Sequence, residues 1–198
     1  MPSISEFKDS FSGDLARANR FLVFIPVPVK MLGFVSDELD TSRNLLFRCE
    51  TAQLPGRALA TADQRIYGPI EKHPYLSTYN DIDLTFIVDD DMQQKTFFDD
   101  WIEYINPTKS NDFRYRQDCE TTITINQYTV SDELSYSVNL FEAYPVSINQ
   151  LDLDWSNEGY HKLTVTFAYS YWKNYRGTGI STARIIPPEL VPNMDWYD

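Results

Sequence analysis

Residues 162 to 172 show the clearest alternation of hydrophobic and polar side chains in the sequence. A period of two, in a segment rich in β-branched and aromatic residues, predicts one long strand with one buried face. Just upstream, Leu151, Leu153 and Trp155 alternate with aspartates, and a Gly-containing link follows at 156–159. We therefore expect the two segments to form a β-hairpin. The buried face of the long strand would carry Leu163, Val165, Phe167, Tyr169 and Tyr171.

Further strands are predicted along the chain by shorter patterns. The apolar run Phe21 to Ile25 stops at Pro26, because proline cannot donate to a sheet ladder. Residues 58–76 are weakly patterned and predict an extended hairpin or loop that reaches outward. Residues 28–42 are interpreted as a surface insertion. Alternating patterns predict strands at 45–51, 82–88, 122–128 and 135–144.

One helix is predicted, over residues 91–105. Phe97, Phe98 and Trp101 recur at helical spacing, and Asn106-Pro107 ends the pattern. The acidic run 89–91 is expected to satisfy the free N–H groups at the helix start. With seven or eight strands and one helix, the fold class is mainly β.

Composition places the chain among globular proteins and sets its electrostatic character. The 198 residues carry 17 Lys and Arg against 29 Asp and Glu, a net charge of −12. Such a balance repels nucleic acid phosphates and anionic membranes. We expect neither an export signal nor a membrane span, and folding in a cytoplasm. The two cysteines, Cys49 and Cys119, are expected to stay free.

Catalytic chemistry is not indicated by any motif. His73 and His161 lack neighbours at metal-ligand spacing, so no metal site or cofactor is expected. Asp152 and Asp154 could be imagined as a glycosidase pair, but they fit the solvent face of a strand better. The chain is therefore predicted not to be an enzyme. A cluster of arginines in the first third, at positions 17 to 57, is interpreted as forming salt bridges to neighbouring subunits.

Several segments, in order, resemble the tail tube protein of T-even-like contractile-tailed bacteriophages. These are the stretch 12–19 before an apolar strand, the stretch 47–55, the helix end 98–101, and the stretches 151–157 and 165–172. In letters they read SGDLARAN, FRCETAQLP, FDDW, LDLDWSN and VTFAYSYW. Each is a loose pattern alone, but their order across residues 12–172 makes the resemblance fairly specific.

The resemblance implies a fold of two antiparallel sheets packed as a barrel-like sandwich with one flanking helix, as in tail tubes and secretion tubes. It also implies hexameric rings, stacked into an inner tail tube within the virion and assembled in the host cytoplasm. The implied partners are further copies of the chain, the tail sheath protein, the tape-measure protein, and baseplate and tail-terminator proteins. DNA would pass through a negative bore without specific binding, and no membrane is involved.

A single domain over 1–198 is predicted, with an arm at 1–19, a β core at 20–172 and an extension at 173–198. Alternatives are a baseplate-proximal (initiator) ring protein of the same fold, a secretion-system tube ring, or a glycan-binding β-sandwich module. The sequence assigns no role to residues 28–42 or to the extension. The candidate subunit-interface residues are Phe7, Phe11, Arg17, Arg20, Arg48, Leu54, Arg57, Tyr67, Tyr75 and Trp196.

Overall fold

Two long antiparallel hairpins form the frame of the molecule. The structure is a computed structural model that describes residue 4 and residues 15–33, 38–65, 67–68, 70–156 and 158–176. Its strands are β1 (Phe21–Phe24), β2 (Cys49–Ala52), β3 (Ala58–Gln64), β4 (Glu71–Thr78), β5 (Ile82–Ile87), β6 (Thr121–Tyr128), β7 (Leu134–Ile148), β8 (Lys162–Ala168) and β9 (Tyr171–Arg176). Its helices are α1 (Glu38–Arg48), α2 (Gln93–Ile105) and α3 (Arg116–Cys119), and a short 3-10 turn spans Val29–Met31.

The first long hairpin runs from β2 to β5. At its base Ala52 lies opposite Leu84, and further out Ala58 lies opposite Thr78. Nearly the same register therefore continues from the β2/β5 pair into the β3/β4 pair. The predicted outward hairpin at 58–76 is confirmed, as β3 and β4.

The second long hairpin pairs β7 with β8 and β9 along one edge. Ile148 lies opposite Val165 near the turn, and Tyr136 lies opposite Arg176 at the far end. The hairpin bends midway, where Glu142 has a φ of 57° and where Tyr169 and Ser170 separate β8 from β9. The Ser170 N–H still donates to the Phe141 carbonyl at 3.1 Å. The predicted long strand is thus two strands, because the bend carries the hairpin from one sheet into another.

Two antiparallel sheets share this bent hairpin. The first sheet has the order β1, β6, first half of β7, β9, and the second sheet has the order β2, β5, β8, second half of β7. The predicted mainly β class and antiparallel sandwich are confirmed. Within the described residues the sandwich is not closed into a barrel, since β1 and β2 are not hydrogen-bonded to each other.

The core lies between the inward faces of the sheets and is closed by α2. Phe98 of α2 packs on Phe86 of β5 and Phe167 of β8, with ring centroids 5.2 and 6.0 Å apart. Trp101 is fully buried, and its indole N–H donates to the Cys119 carbonyl at 3.0 Å. The predicted burial of Leu163, Val165, Phe167 and Tyr169 and of the aromatic face of α2 is confirmed. Tyr171, predicted to lie on the same buried face, is instead 37% exposed.

The start of α2 differs from the prediction. The helix begins at Gln93 rather than at residue 91, and its N-cap is Met92, which makes no side-chain capping bond. The acidic run 89–91 does not cap the helix. Instead the Gln94 side-chain carbonyl accepts a hydrogen bond from the Asp89 N–H at 3.0 Å, while the Asp89 carboxylate binds Arg48.

The predicted strand at 45–51 is wrong for most of its length. Residues up to Arg48 are helical, as α1, and only Cys49–Ala52 is a strand. The apolar run is compatible with both the helical and the strand period. The helix forms because it packs against β1 and β5. Leu45 is buried whereas Phe47 is 65% exposed, so an alternating buried face does not exist. The predicted surface insertion at 28–42 is also partly wrong, because Met31 lies in the core.

The predicted strand at 151–155 is absent. Residues 149–161 form the loop that connects β7 to β8, so β7 is the hairpin partner of the long alternating segment. Leu153 is 88% exposed and Trp155 is fully exposed. Alternation describes the two faces of a segment but does not specify which segment it pairs with.

Candidate assembly surfaces

The protruding hairpin, residues 58–78, is the first candidate surface. In the part of the chain that the structure describes, β3 and β4 pair only with each other. Its exposed apolar side chains include Leu59 at 57%, Tyr75 at 69% and Leu76 at 52%. A two-stranded ribbon without a cover is marginally stable in water, and exposed apolar clusters mark contact sites. This hairpin is therefore suited to binding another surface.

The base of the protruding hairpin is fixed to the body of the molecule. The Trp172 indole N–H of β9 donates to the Gly56 carbonyl at 3.1 Å. The Arg57 guanidinium donates to the Ser77 hydroxyl at 2.9 Å and lies 5.8 Å from the centre of the Tyr79 ring. These contacts set the direction in which the hairpin leaves the second sheet.

The acidic loop, residues 149–161, is the second candidate surface. Its base is held by Asn149, whose side-chain carbonyl accepts from the Thr164 N–H at 2.7 Å. In the loop the Asp154 carboxylate accepts from the N–H and the hydroxyl of Ser156 at 3.0 and 2.8 Å. These two hydrogen bonds hold the pKa of Asp154 below its ordinary value. The side chains of Leu153, Trp155 and Tyr160 are exposed around this turn.

Open strand edges are the third feature. Among the described residues, β1 is hydrogen-bonded only to β6, β9 only to β7 and β2 only to β5. Each sheet therefore presents at least one unpaired row of backbone N–H and C=O groups. Such an edge is a template for pairing with another chain unless it is covered.

Comparison with known proteins identifies the family. The family model for phage tail tube protein matches residues 16–175. The chain belongs to the phage tail tube protein family. Its function is accordingly that of a tail tube protein. A comparison with curated proteins gives no match.

Solved structures share the fold of this tail tube protein at low sequence identity. A chain of an extracellular contractile injection system, the PVC sheath-tube complex in extended state, is 19% identical with a TM-score of 0.60, covering 88% of this chain and 98% of that chain. The anti-feeding prophage cap gives 17% identity and a TM-score of 0.59, covering 84% and 94%. The 6-fold symmetrised anti-feeding prophage baseplate gives 15% and 0.59, covering 83% and 97%.

The predicted interface residues of the tail tube protein lie in different environments. Leu54, Tyr67 and Tyr75 are exposed on or beside the protruding hairpin, with Tyr67 96% exposed. Arg57 lies at its base. Phe7, Phe11 and Trp196 lie outside the described residues, as does the extension beyond residue 176. The interface role of all ten residues stays a prediction.

Two of the predicted arginines have carboxylate partners within the same chain. Arg48 binds Asp89 at 2.6 Å, between α1 and the start of α2, and Arg20 binds Asp132 at 2.5 Å. Arg17 lies on the surface before β1, and its carbonyl accepts from the Gln127 amide at 2.7 Å. The sequence alone could not separate an intrachain ion pair from an intersubunit one, since both use the same residue types.

The negative charge of the tail tube protein is concentrated away from the strand faces. On the outward face of the second sheet Glu50 is paired with Lys162 at 2.7 Å, and Asp83 accepts from the Thr166 hydroxyl at 2.7 Å. The Thr85 and Thr164 hydroxyls are 3.1 Å apart on the same face. Most other acids occupy helices and loops, including 89–91, 99–103 and 152–158. The strand faces are therefore close to neutral.

The remaining candidate chemistry finds little support in the geometry. In the described ranges no three His, Cys, Asp or Glu side chains are grouped so that they could hold a metal ion. His73 lies 3.7 Å from the exposed Glu71 carboxylate, as a single pair. No helix within the described part of the chain has the length and hydropathy to cross a membrane.

Both cysteines are free thiols in the tail tube protein. Burial raises the pKa of Cys49 to about 12 and also raises the pKa of Cys119. Because the thiolate is the reactive form, both side chains are protonated and weakly nucleophilic at neutral pH.

Sequence reasoning missed the acidic loop as an exposed surface. The signal was present, because Asp154 and Ser156 have the spacing of an Asx turn, which ends a strand. The prediction followed the regular alternation of leucines and aspartates instead of this turn signal.

Proposed function

We propose that this protein forms hexameric rings that stack into the inner tube of a contractile tail. The observation that carries the proposal is the family match over residues 16–175, together with sheets whose edges are unpaired among the described residues. Joining such edges around a ring removes them from solvent and satisfies their backbone groups. Six copies are favoured because one similar chain belongs to a structure described as 6-fold symmetrised.

The tube would serve as a conduit in the virion tail. A net charge of −12 and near-neutral strand faces leave phosphates without a cluster of cations to bind, so DNA would slide past rather than adhere. The tape-measure protein would occupy the bore before DNA, the sheath would surround the tube, and baseplate and terminator proteins would cap it. The protein would have no catalytic role.

A single baseplate-proximal ring is the second candidate function. A chain of the anti-feeding prophage baseplate matches with a TM-score of 0.59, against 0.60 for the chain of the PVC sheath-tube complex. Similarity of fold therefore does not separate a repeating tube protein from a ring that occurs once. The glycan-binding module is disfavoured, because the family match spans most of the chain.

Electron microscopy of the purified full chain tests this function. We expect rings with a central hole, of about six times the 23.1 kDa mass of one chain by light scattering, and tubes at higher concentration. Rings that never stack would favour the baseplate-proximal function. A stable monomer at all concentrations would refute both.

A further inference from the structure

The bend in the second long hairpin is the place where the first sheet passes into the second. In β7 it falls at Glu142, and in the facing segment it falls at residues 169–170. It coincides with a register shift, because residues 141–142 of β7 lie opposite the single residue Thr122 of β6. Such a bulge turns a strand and increases its local twist. The angle between the two sheets is therefore set at this bend.

Glu142 has a backbone conformation that glycine adopts more easily. Its φ of 57° lies in the left-handed region, where a Cβ is unfavourable and where glycine is common at bulges. A glutamate at this position is explained by what its side chain binds. The carboxylate of Glu142 lies 3.1 Å from Nη2 of Arg116, the first residue of α3.

Arg116 contacts both sides of the bend. Its Nη2 group also donates to the Glu142 carbonyl at 3.2 Å and to the Ser170 hydroxyl. The guanidinium lies 5.7 Å from the centre of the Tyr144 ring, and its Nε lies 3.3 Å from the Glu120 carboxylate. A guanidinium holds its donors in one fixed plane. One side chain thus connects β7 to the segment between β8 and β9.

The position of Arg116 is itself fixed by the core. α3 begins at Arg116 and ends at Cys119, whose carbonyl accepts from the Trp101 indole N–H at 3.0 Å. Trp101 is fully buried in α2, the helix that closes the core. The guanidinium therefore connects the bend to a buried part of the molecule.

The ion pair of Arg116 fixes geometry without adding much stability. The side chains of Arg116 and Glu142 are 49% and 43% exposed. Ion pairs with this degree of exposure contribute little to the free energy of unfolding, because water screens them. Loss of the pair should therefore change the angle between the sheets more than it changes the stability of the fold.

We propose that Arg116 is a positioning residue that fixes the angle between the two sheets and thereby allows a ring of copies to close. The inference rests on the proposed function, because it concerns how the sheet edges of neighbouring copies meet. A head-to-tail contact closes into a ring only if the rotation between neighbours divides a full turn evenly. Rings of six and of seven copies differ by only about 9° per contact, so a small change in the angle alters or prevents closure.

The first test breaks the contact from each side in the full chain. Arg116→Gln removes the cation, and Glu142→Gly removes the carboxylate and relieves the unfavourable φ. The matched control is Lys95→Gln, which removes an ion pair between Lys95 and Asp99 within α2. We expect both variants to lose uniform six-membered rings in electron micrographs and to give open arcs or rings of mixed size. The control should form the same rings as the unchanged protein.

Thermal melting separates positioning from stability. We expect Glu142→Gly to melt no lower than the unchanged protein although its uniform rings are lost, because glycine tolerates this φ. A purely stabilising role of the contact predicts the opposite result, namely a lower melting temperature together with normal rings. That result would overturn the inference.

The ring images also distinguish failure of the inference from failure of the proposed function. Uniform six-membered rings from both variants would overturn the inference. Normal rings from Glu142→Gly together with lost rings from Arg116→Gln would also overturn it, since Arg116 would then act on a neighbouring copy directly. Absence of rings from the unchanged protein would instead refute the proposed function.

Distances within one copy test the angle independently of assembly. In a Cys49→Ala and Cys119→Ala background, spin labels are attached at two exposed positions, Thr51→Cys in β2 and Lys173→Cys in β9. Dilution with unlabelled protein restricts the measurement to single copies. We expect double electron–electron resonance to give a broader or shifted distance distribution when Arg116→Gln is added. An identical distribution would overturn the inference even if rings were lost.

Discussion

Trp101 is the residue on which most of the aromatic core converges. Its ring packs with Phe97, Phe98 and Phe167 at centroid distances of 5.6 to 6.4 Å, and its N–H is bonded to the Cys119 carbonyl. Trp155, by contrast, is fully exposed in the described part of the chain. Trp101 is therefore expected to contribute to stability, and Trp155 is not.

We expect Trp101→Ala to lower the free energy of unfolding by about 3–5 kcal/mol, because it leaves a large cavity and an unpaired Cys119 carbonyl. Trp155→Ala is the matched control and should change it by no more than about 0.5 kcal/mol. Urea denaturation at a fixed oligomeric state measures both. Equal losses for the two variants would contradict the assignment of Trp155 to a surface.

The thiols provide a second prediction at the level of single residues. Since burial raises the pKa of Cys49 to about 12, we expect its alkylation by iodoacetamide at pH 8 to proceed at less than about one hundredth of the rate for a free cysteine. Burial also raises the pKa of Cys119, so this thiol should likewise react more slowly than a free cysteine. Mass spectrometry over time gives the rate, and labelling in urea is the control. Rapid labelling of the folded protein would show that the thiols are accessible.

At the level of elements, the outer part of the first long hairpin is separate from the core that stabilises the fold. The base of the first hairpin belongs to the second sheet, whereas β3 and β4 contribute no side chain to the buried core. The stability of the body should therefore not depend on them.

We expect replacement of residues 59–77 by a short Asn-Gly turn to leave the cooperative thermal melt of the body intact while abolishing tubes. The physical reason is that the removed strands pair only with each other among the described residues. Circular dichroism and electron microscopy measure the two properties. In the control variant, residues 66–69 between β3 and β4 are replaced with glycine and serine. Its melting temperature should be unchanged. Loss of the cooperative thermal transition in the shortened variant would mean that the hairpin stabilises the core.

The alternating patterns correctly predicted strands that have one face in the core and the other face outside it. β5, β6 and β8 were predicted closely, because one face of each lies in the core and the other does not. The strand predicted around Leu45 failed because a short apolar run satisfies both helical and strand periods, so packing against β1 and β5 decided. The strand predicted around Leu153 failed because Leu153 and Trp155 lie on the surface, and only Leu151 packs against the core.

At the level of the whole molecule, charge distribution determines how the protein interacts with nucleic acid. The strand faces are close to neutral and the excess of carboxylates lies in loops and helices. Several cations are paired with carboxylates of the same chain, namely Arg20, Lys30, Arg48, Lys95, Arg116 and Lys162.

We therefore expect no binding of duplex DNA by the assembled protein at 0.05 M salt, where attraction between charges is least screened, at roughly a 14 Å screening length. An electrophoretic mobility shift with a basic DNA-binding protein as the positive control measures this. A shift that disappears as salt is raised would reveal a basic track and would contradict a passive conduit.

The candidate surfaces were predictable only in part. Residues 58–76 were predicted to reach outward because they combine a weak pattern with Gly and Pro, and Tyr67 and Tyr75 are exposed there. Arg48 and Arg20, predicted to bind neighbours, pair with Asp89 and Asp132 in the same chain. Those partners are 41 and 112 residues away in sequence, so only the fold brings them together.

The sequence by itself determined the class of the protein, its buried strand faces, its acidic balance and its resemblance to a family, since each of these depends on local pattern or composition. Only the tertiary structure decided that β7 pairs with β8 and β9, that residues 38–48 are helical, and that the protruding hairpin and the acidic loop lie at opposite ends of one sheet. Register and strand order depend on contacts between residues that are distant in sequence. The free energy of those contacts cannot be predicted from the pattern of any single segment.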